Sequence, residues 1–395
     1  MDLRSYACRS LLALMLLLAV PVPALAGPGA TAAPDDLVLP VTKEAPVKSP
    51  RIVASAAILM DGQTGQILFE RNAHARREPA STTKILTAII ILEEANLADK
   101  VKVSKKAART EGSTMHLVAG QVHSVHDLVH GLLLRSGNDA AVALAEYLSG
   151  SEEAFAAKMN ERARAMGAQA SHFKNPHGLP NPAHYTTAYD LARITQYAMR
   201  NPKFAQIVGS RSAGLTYEEL DRDVVLHNTN RLLHMLPEAD GVKTGTTGNA
   251  GKCLVFSGTR QGQQLIGVIL NDGNRFGDAA TLLRWGFTTF RLHQYGKAGD
   301  LIAQAPLIRG KKESLPLKLE KGLALVLPAG AQVPQLDLKL PPTLKAPVTA
   351  GAVVGEALVR RPDGVELKSR LLAAETIKRR TLWEELMRLV NQQRG

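Results

Sequence analysis

Two apolar runs flank a glycine-containing turn in "SAAILMDGQTGQILFERN", residues 55–72. Two more, "KCLVFSGTR" and "QLIGVILND", meet around Gly262. Each pair reads as a β-hairpin. Most of the chain between them has helical length and composition. Strands at both ends with helices between imply an α/β unit: an antiparallel sheet covered by helices, with a helical subregion beside it.

The helical stretches are distinct. "TTKILTAIIILEEA" contains neither Gly nor Pro, and "EEAFAAKMNERARAMGA" is helical throughout. "VHDLVHGLLLRSGNDAAVALAEYL" reads as two helices interrupted at Ser136-Gly137-Asn138. "TTAYDLARITQYAMR" opens with capping-type threonines and an acid. "GVKTGTT" is strand-like, and "AATLLRWGFTTFRLH" closes the region as a helix. Near residue 296 the composition changes: "LPLKLEKGLALVLPAG" alternates apolar and polar residues, and prolines recur to Pro347. This predicts a unit over 51–296, a small all-β domain over 297–370 and a C-terminal amphipathic, membrane-associating helix over 371–395.

The N-terminus sets the compartment. Arg4 and Arg9 precede the apolar "LLALMLLLAV", followed by the small-residue site Ala24-Leu25-Ala26. This has the form of an export signal over residues 1–26. A Pro- and Ala-rich linker follows over 27–50. Cleavage after Ala26 leaves Cys253 as the sole cysteine, which excludes an internal disulfide and a cysteine-based metal site. The formal charge is +12, with aromatics at 4% and no nucleic-acid-binding signature. For an exported protein, such charge points to anionic lipid or an anionic wall rather than nucleic acid.

The chemistry enters with "PASTTKILTAIIILEE", where Ser81 and Lys84 stand three apart before a long apolar run. Alone, the pair fits an N-cap serine and a snorkelling lysine. A second pair, Ser171 and Lys174, is followed by Pro176 and Gly178, so no helix gives it a shared face. Ser81 and Lys84 lie where residues three apart share one side. A serine hydroxyl needs a neighbouring base to act as a nucleophile. Lysine serves only if burial or a second cation depresses its pKa from about 10.4. "GVKTGTT" supplies that second cation in Lys243. K-T-G arises by chance about a tenth of a time in a chain this long. Ser136-Gly137-Asn138 is the third element, placed where Gly and Asn weaken a helix.

S-x-x-K, S-[DG]-N and K-T-G together are the signature of penicillin-binding proteins and class A β-lactamases. The chain resembles the low-molecular-mass penicillin-binding proteins, the serine-type D-alanyl-D-alanine carboxypeptidases. "PASTTKILTA", "LLLRSGNDAAVALAE", "FKNPHGLP", "TTAYDLA" and "GVKTGTT" carry the likeness, which covers about residues 51–293. Gly137, where β-lactamases usually carry Asp, agrees with the carboxypeptidase branch. The resemblance implies the penicillin-binding, β-lactamase-like transpeptidase fold. It makes Ser81 the acyl-ester nucleophile, Lys84 its base and Ser136 a proton relay to the leaving amine. Asn138 would bind substrate backbone or steady Lys84, and Lys243 would keep Lys84 deprotonated and orient Ser136. Thr244 would take the substrate's terminal carboxylate, and Gly245 would permit close approach. Backbone N–H groups of Ser81 and Thr246 would form the oxyanion hole. Arg275, ten residues before Trp285, would supply a planar cation for the carboxylate.

The implied partners are the peptidoglycan pentapeptide, β-lactams as covalent inhibitors and a membrane surface, with no nucleic acid. No cofactor is expected. His123, His126 and His130 are spaced for one helix side but lack an H-E-x-x-H pattern, so no metal site is expected. His177 would shape a loop near the site. Near the C-terminus Leu382, Leu386 and Leu389 share a face, with Trp383, Met387 and Val390 beside it. That helix either packs on the β domain or lies in a membrane interface, at the outer face of the cytoplasmic membrane. Rival functions are a β-lactamase, a D,D-endopeptidase and a non-catalytic wall-binding protein. No E-x-x-L-N-like segment lies between Ser136 and Lys243 to supply a β-lactamase's deacylating glutamate.

Overall fold

The computed structural model describes residues 48–217, 222–361 and 363–392. The expected export signal over 1–26, and all but the last three residues of the linker over 27–50, lie outside them.

In chain order the elements that build the site are β1 (Ala56–Asp61), β2 (Ile67–Arg71), α1 (Lys84–Glu94), α2 (Asn138–Ser149) and α3 (Ala188–Ala198). They are followed by β3 (Ala239–Thr247), β4 (Gly251–Arg260), β5 (Gln263–Leu270) and α4 (Arg275–Thr289). The five strands form one antiparallel sheet in the order β2-β1-β5-β4-β3. The two hairpins therefore join through β1 and β5, the first and last strands of the unit, with Ile58 opposite Val268.

Both faces of this sheet are covered, which explains why β1 is apolar at five successive positions rather than alternating. Ile58 and Met60 point into one core with Ile85, Ile89, Leu144 and Leu191 from the helices. Ala57 and Leu59 point into the other with Phe256, Leu265, Leu282 and Phe287. The period-2 geometry of the strand sorts one apolar run into two cores. α1 lies in the first core, with Lys84 through Leu92 all buried. β3 is an edge strand, and its Lys243-Thr244-Gly245 segment faces the turn that begins α1.

Two glycines show how tightly the site is drawn together. A Cβ on Gly245 would lie 3.0 Å from the backbone nitrogen of Ser81. Gly178, at φ +87°, would put a Cβ 1.9 Å from the carbonyl oxygen of Ala80. Any side chain there would push the loop and the serine turn apart.

The C-terminal part is an all-β unit with its own core, including Leu315, Leu325, Val359 and Leu371. It begins with the strand Phe290–Gly296, paired to Leu323–Pro328, rather than at residue 297. The helix α4 runs directly into that strand, so no composition break marks the junction. The last strand of the unit ends at Ala373, and Ile377, 2% exposed, still pairs with Val348. The expected boundary at 370 therefore falls inside the unit, because Ile377 fills its core. Fully buried Gln66 ties the two parts: its Nε2 donates to Val326 O at 3.0 Å and its Oε1 accepts from Val326 N at 3.2 Å. The final helix, α5 (Leu382–Gln392), starts well after residue 371. No helix among the described residues is long and apolar enough to cross a membrane.

Candidate active site

The serine turn is a short 3₁₀ segment, Ala80–Thr83, immediately before α1. Its shape is set by its own side chains: Thr82 Oγ1 donates to Pro79 O at 2.7 Å and Thr83 Oγ1 to Ala80 O at 2.9 Å. Ser81 caps nothing; the hydroxyl instead contacts the Lys84 amine at 2.9 Å. The capping and snorkelling alternatives thus fail, because Lys84 is 0% exposed.

The Lys84 amine has two further partners. Nζ donates to Asn138 Oδ1 at 2.6 Å and to the carbonyl oxygen of His177 at 2.8 Å. Burial holds this amine well below the ordinary lysine range, and the Lys243 cation pushes the same way, while Asp139 opposes. Two carbonyl oxygens can only accept, whereas a serine hydroxyl can donate. A neutral amine matches this set: two N–H groups reach the carbonyls and the lone pair faces Ser81 Oγ–H.

Each partner is fixed by its own segment. Asn138 begins α2, and its Nδ2 donates to Glu111 O at 2.5 Å while its backbone N–H donates to Ser113 O at 2.7 Å. Buried Asp139 accepts from the backbone N–H groups of Met115 and Leu117, which moulds the same loop. His177 belongs to the loop "NPHGLP", whose Pro176 carbonyl accepts from Thr87 Oγ1 at 2.7 Å. The His177 ring turns away and lies 3.3 Å from Glu152 Oε2. Thr83 Oγ1 also meets His184 Nε2 at 2.9 Å, and burial drives the His184 ring down to about 3, so it is neutral.

Ser136 ends the π-helical turn Gly131–Arg135 in the left-handed conformation, at φ 64°, and is 5% exposed. Its hydroxyl has no hydrogen bond to another described residue. Lys243 is buried; its ammonium donates to Thr244 O at 3.1 Å. The orienting bond from Lys243 to Ser136, implied by resemblance, is not formed. The influence of Lys243 on Lys84 is instead through space. Burial and the Arg275 cation bring Lys243 itself down to about 7.

Thr244 shares a 2.7 Å hydroxyl contact with Thr229, a residue the sequence reading did not single out. Thr246 Oγ1 donates to Gly245 O at 2.7 Å. Arg275 Nη1 donates to Gly245 O, Thr246 Oγ1 and Cys253 O at 2.8, 3.0 and 3.1 Å. Eight of the nine expected residues are thus held together at the seam between β3, the serine turn and the start of α2, and Ser136 stands two residues before Asn138 at that helix start. The second S-x-x-K pair is elsewhere in purpose: Ser171 Oγ donates to Asp190 Oδ2 at 2.6 Å and tethers a loop to α3. His126 and His130 stack with ring centroids 4.2 Å apart, and no group of three metal-ligating side chains occurs among the described residues.

Comparison with known proteins adds identity to this geometry. Residues 42–274 match the family model described as D-alanyl-D-alanine carboxypeptidase, and residues 287–379 match that of the penicillin-binding protein 5 C-terminal domain. The chain is 32% identical over 336 residues to D-alanyl-D-alanine carboxypeptidase DacF of Bacillus subtilis, covering 82% of this chain and 86% of that one. It is 34% identical over 330 residues to DacC of Escherichia coli, covering 79% and 81%. Penicillin-binding protein 5 from Haemophilus influenzae superposes with a TM-score of 0.72 at 30% identity, over 84% of this chain and 100% of that one.

Gly178→Ala tests whether the loop must approach the serine turn. The side chain meets the Ala80 carbonyl and the positive φ together, at a cost on the order of 1–3 kcal/mol. Urea denaturation should show that loss, and fluorescent-penicillin labelling should slow at least in step. Unchanged stability and labelling would show that the loop is not held against the turn.

Proposed function

The chain belongs to the D-alanyl-D-alanine carboxypeptidase family, and on that premise we propose that Ser81 attacks the penultimate D-alanine of a peptidoglycan stem peptide, with Lys84 as its base. The family is serine-type, and removal of the terminal D-alanine is the reaction. The observation that carries the residue assignment is the buried Lys84 amine, satisfied by two carbonyl oxygens and one hydroxyl.

In the first step Ser81 Oγ bonds to the carbonyl carbon while its proton passes to Lys84 Nζ. The N–H groups of Ser81 and Thr246 stabilise the oxyanion. Ser136 passes a proton to the leaving nitrogen, the C–N bond breaks, and D-alanine departs. Water then attacks the ester with Lys84 again as base, freeing Ser81 and the shortened peptide. Thr244 and Arg275 hold the terminal carboxylate, and Asn138 keeps the Lys84 amine in place. β-Lactams enter by the same first step. The test of the assignment is incubation with diacetyl-Lys-D-Ala-D-Ala and assay of free D-alanine, comparing Ser81→Ala with Ser171→Ala. Loss confined to Ser81→Ala supports it; equal loss in two folded variants refutes it.

We further propose that α5 lies in the membrane interface at the outer face of the cytoplasmic membrane. Thr381 and Glu384 cap it reciprocally: Thr381 N–H donates to Glu384 Oε2 at 2.7 Å and Glu384 N–H to Thr381 Oγ1 at 3.2 Å. Glu384 is engaged by the β unit, 2.9 Å from Lys311, and Glu385 pairs with Arg388 within the helix. Its apolar residues are not: Leu382 is 90% and Trp383 69% exposed, and Leu386 and Met387 follow. The side chains of Leu389 and Val390 lie outside what the structure describes. An uncovered apolar face on a capped helix suits an acyl–headgroup boundary.

Three outcomes follow from these roles. Lys84→Arg keeps the charge but holds its proton, so acylation should be lost; retention of more than a few per cent would exclude Lys84 as base. In the intact enzyme the acylation rate should rise with pH as Lys84 loses its proton, well below the usual lysine range. Lys243→Gln removes the depressing cation, so that rising limb should move to higher pH; a shift downward would refute the coupling.

Arg275→Ala should raise KM for a carboxylate-ended peptide far more than for its amide. A charge-assisted bond contributes about 1.5–3 kcal/mol, roughly tenfold to over a hundredfold. Equal losses on both peptides would show that Arg275 does not read the carboxylate.

Truncation after Arg380 keeps Ile377 and the pairing of Gly310 with Arg379. It should leave small-peptide activity intact and abolish sedimentation with anionic liposomes. A truncated protein that still sediments would defeat the anchor.

A further inference from the structure

The carbonyl oxygen of His177 that accepts from Lys84 is not aimed by backbone stereochemistry alone. Its peptide leads into Gly178, at φ +87°, a residue with no Cβ to restrict the torsions on that side. The N–H end of the peptide is held, since Gly178 N–H donates to Asn175 Oδ1 at 2.7 Å. The other end depends on how His177 is seated, and its imidazole is gripped at both nitrogens.

Nδ1 accepts from Leu179 N–H at 3.1 Å. That nitrogen therefore presents a lone pair, and in the neutral ring the proton sits on Nε2. Nε2–H faces Glu152 Oε2 at 3.3 Å. Burial is the main cause holding the His177 ring below its ordinary range; Glu152 opposes it and Lys84 adds to it. The contact is thus a neutral donor on an ionised acceptor. Glu152 is itself fixed. It opens the helix Glu152–Ala165 behind the Ser151 cap, a place that suits a carboxylate. Its Oε1 lies 2.8 Å from Lys106 Nζ. Burial alone would raise the Glu152 carboxyl, but the bonds from His177 and Lys106 outweigh that and hold it below the usual carboxylate range. The side chains of Glu152 and His177 are only 13% and 8% exposed. One line of bonds runs from half-exposed Lys106 through Glu152 and His177 to Lys84, and from there to Ser81. None of the motifs that mark the site contains Glu152 or Lys106.

We propose that Glu152 is a positioning residue for the reaction: by holding the His177 ring it sets the His177 carbonyl against the Lys84 amine, and so keeps the amine's lone pair on Ser81 Oγ–H. This rests on the assignment of Lys84 as base under Proposed function. Glu152 acts wholly through His177 and not on the reacting atoms. Removing its carboxylate strands a buried Nε2–H without that acceptor, which is costly enough to turn the ring. The carbonyl turns with it, and Lys84 is left with Asn138 as its carbonyl partner and its amine off line.

The experiment uses the full chain and fluorescent penicillin, reading the acylation rate constant at saturation separately from the half-saturating concentration. Glu152→Ala should lower the rate constant about tenfold and leave the half-saturating concentration within about twofold, because Thr244 and Arg275 are untouched. Glu152→Gln keeps an acceptor oxygen at the same reach and should stay within about threefold of the unaltered enzyme. Glu152→Asp keeps the charge but is a methylene shorter, and should lose nearly as much as Glu152→Ala. A role through charge or the helix end alone would rank Gln and Asp the other way, so this pair decides the matter even where Glu152→Ala does not fold. In a His177→Phe background Glu152→Ala should add no further loss, since residues acting through one contact are not additive. Glu152→Ala acylating at the unaltered rate, Glu152→Gln slower than Glu152→Asp, a loss confined to the half-saturating concentration, or full additivity with His177→Phe would each overturn the role. All four leave the base assignment standing, which Lys84→Arg tests by itself.

Discussion

The structure turns on a lysine amine that has been taken out of water. Lys84 is wholly enclosed, and an isolated ammonium in such a place is costly enough that the group gives up its proton instead. Each unit of pKa depression corresponds to about 1.4 kcal/mol that the fold must supply elsewhere. It is supplied by the apolar surroundings of α1, whose Ile85, Leu86, Ile89 and Ile90 are fully packed. A less buried helix start would leave Lys84 an ordinary surface lysine.

Holding a neutral amine requires partners of the right polarity, and these come from distant parts of the chain. Asn138 reaches Lys84 across 54 residues and the His177 carbonyl across 93. The segment that begins α2 and the loop that carries His177 must therefore both close on one turn. Side-chain-to-backbone bonds from Asp139, Asn138 and Thr87 draw them in, and Gly178 and Gly245 remove the atoms that would keep them apart. Specific polar bonds and missing side chains act together here, since neither alone brings backbones into contact.

Much of this was legible in the sequence because it is written locally. The paired hairpins, the unbroken apolar run of α1 and the three short motifs each carry their meaning within a few residues. Ser81 differs from Ser171 in that a helix follows the one and a proline the other. What was not legible depends on tertiary placement. Nothing in "HNTNRLLH" marks Thr229 as the partner of Thr244. The carbonyl of His177 is invisible to any reading of side chains, although the loop motif places His177 near the site. The edges of the β unit were misplaced because α4 flows into its first strand, and because one buried isoleucine, Ile377, extends it beyond the alternating pattern.

Burial is the main cause that depresses both buried lysines, and the cations add to it in sequence: Arg275 lowers Lys243, and Lys243 lowers Lys84. With Lys243 at about 7, the free enzyme holds that proton only loosely near neutrality. On the proposed roles, a substrate carboxylate arriving at Arg275 offsets its charge. The sign is then fixed: a nearby anion favours the charged form of Lys243 and raises its pKa. Lys243 so protonated lowers Lys84, and the arriving carboxylate, like Asp139, acts on Lys84 in the opposite sense. A peptide lacking that carboxylate loses a binding contact and also leaves Lys243 nearer to losing its charge.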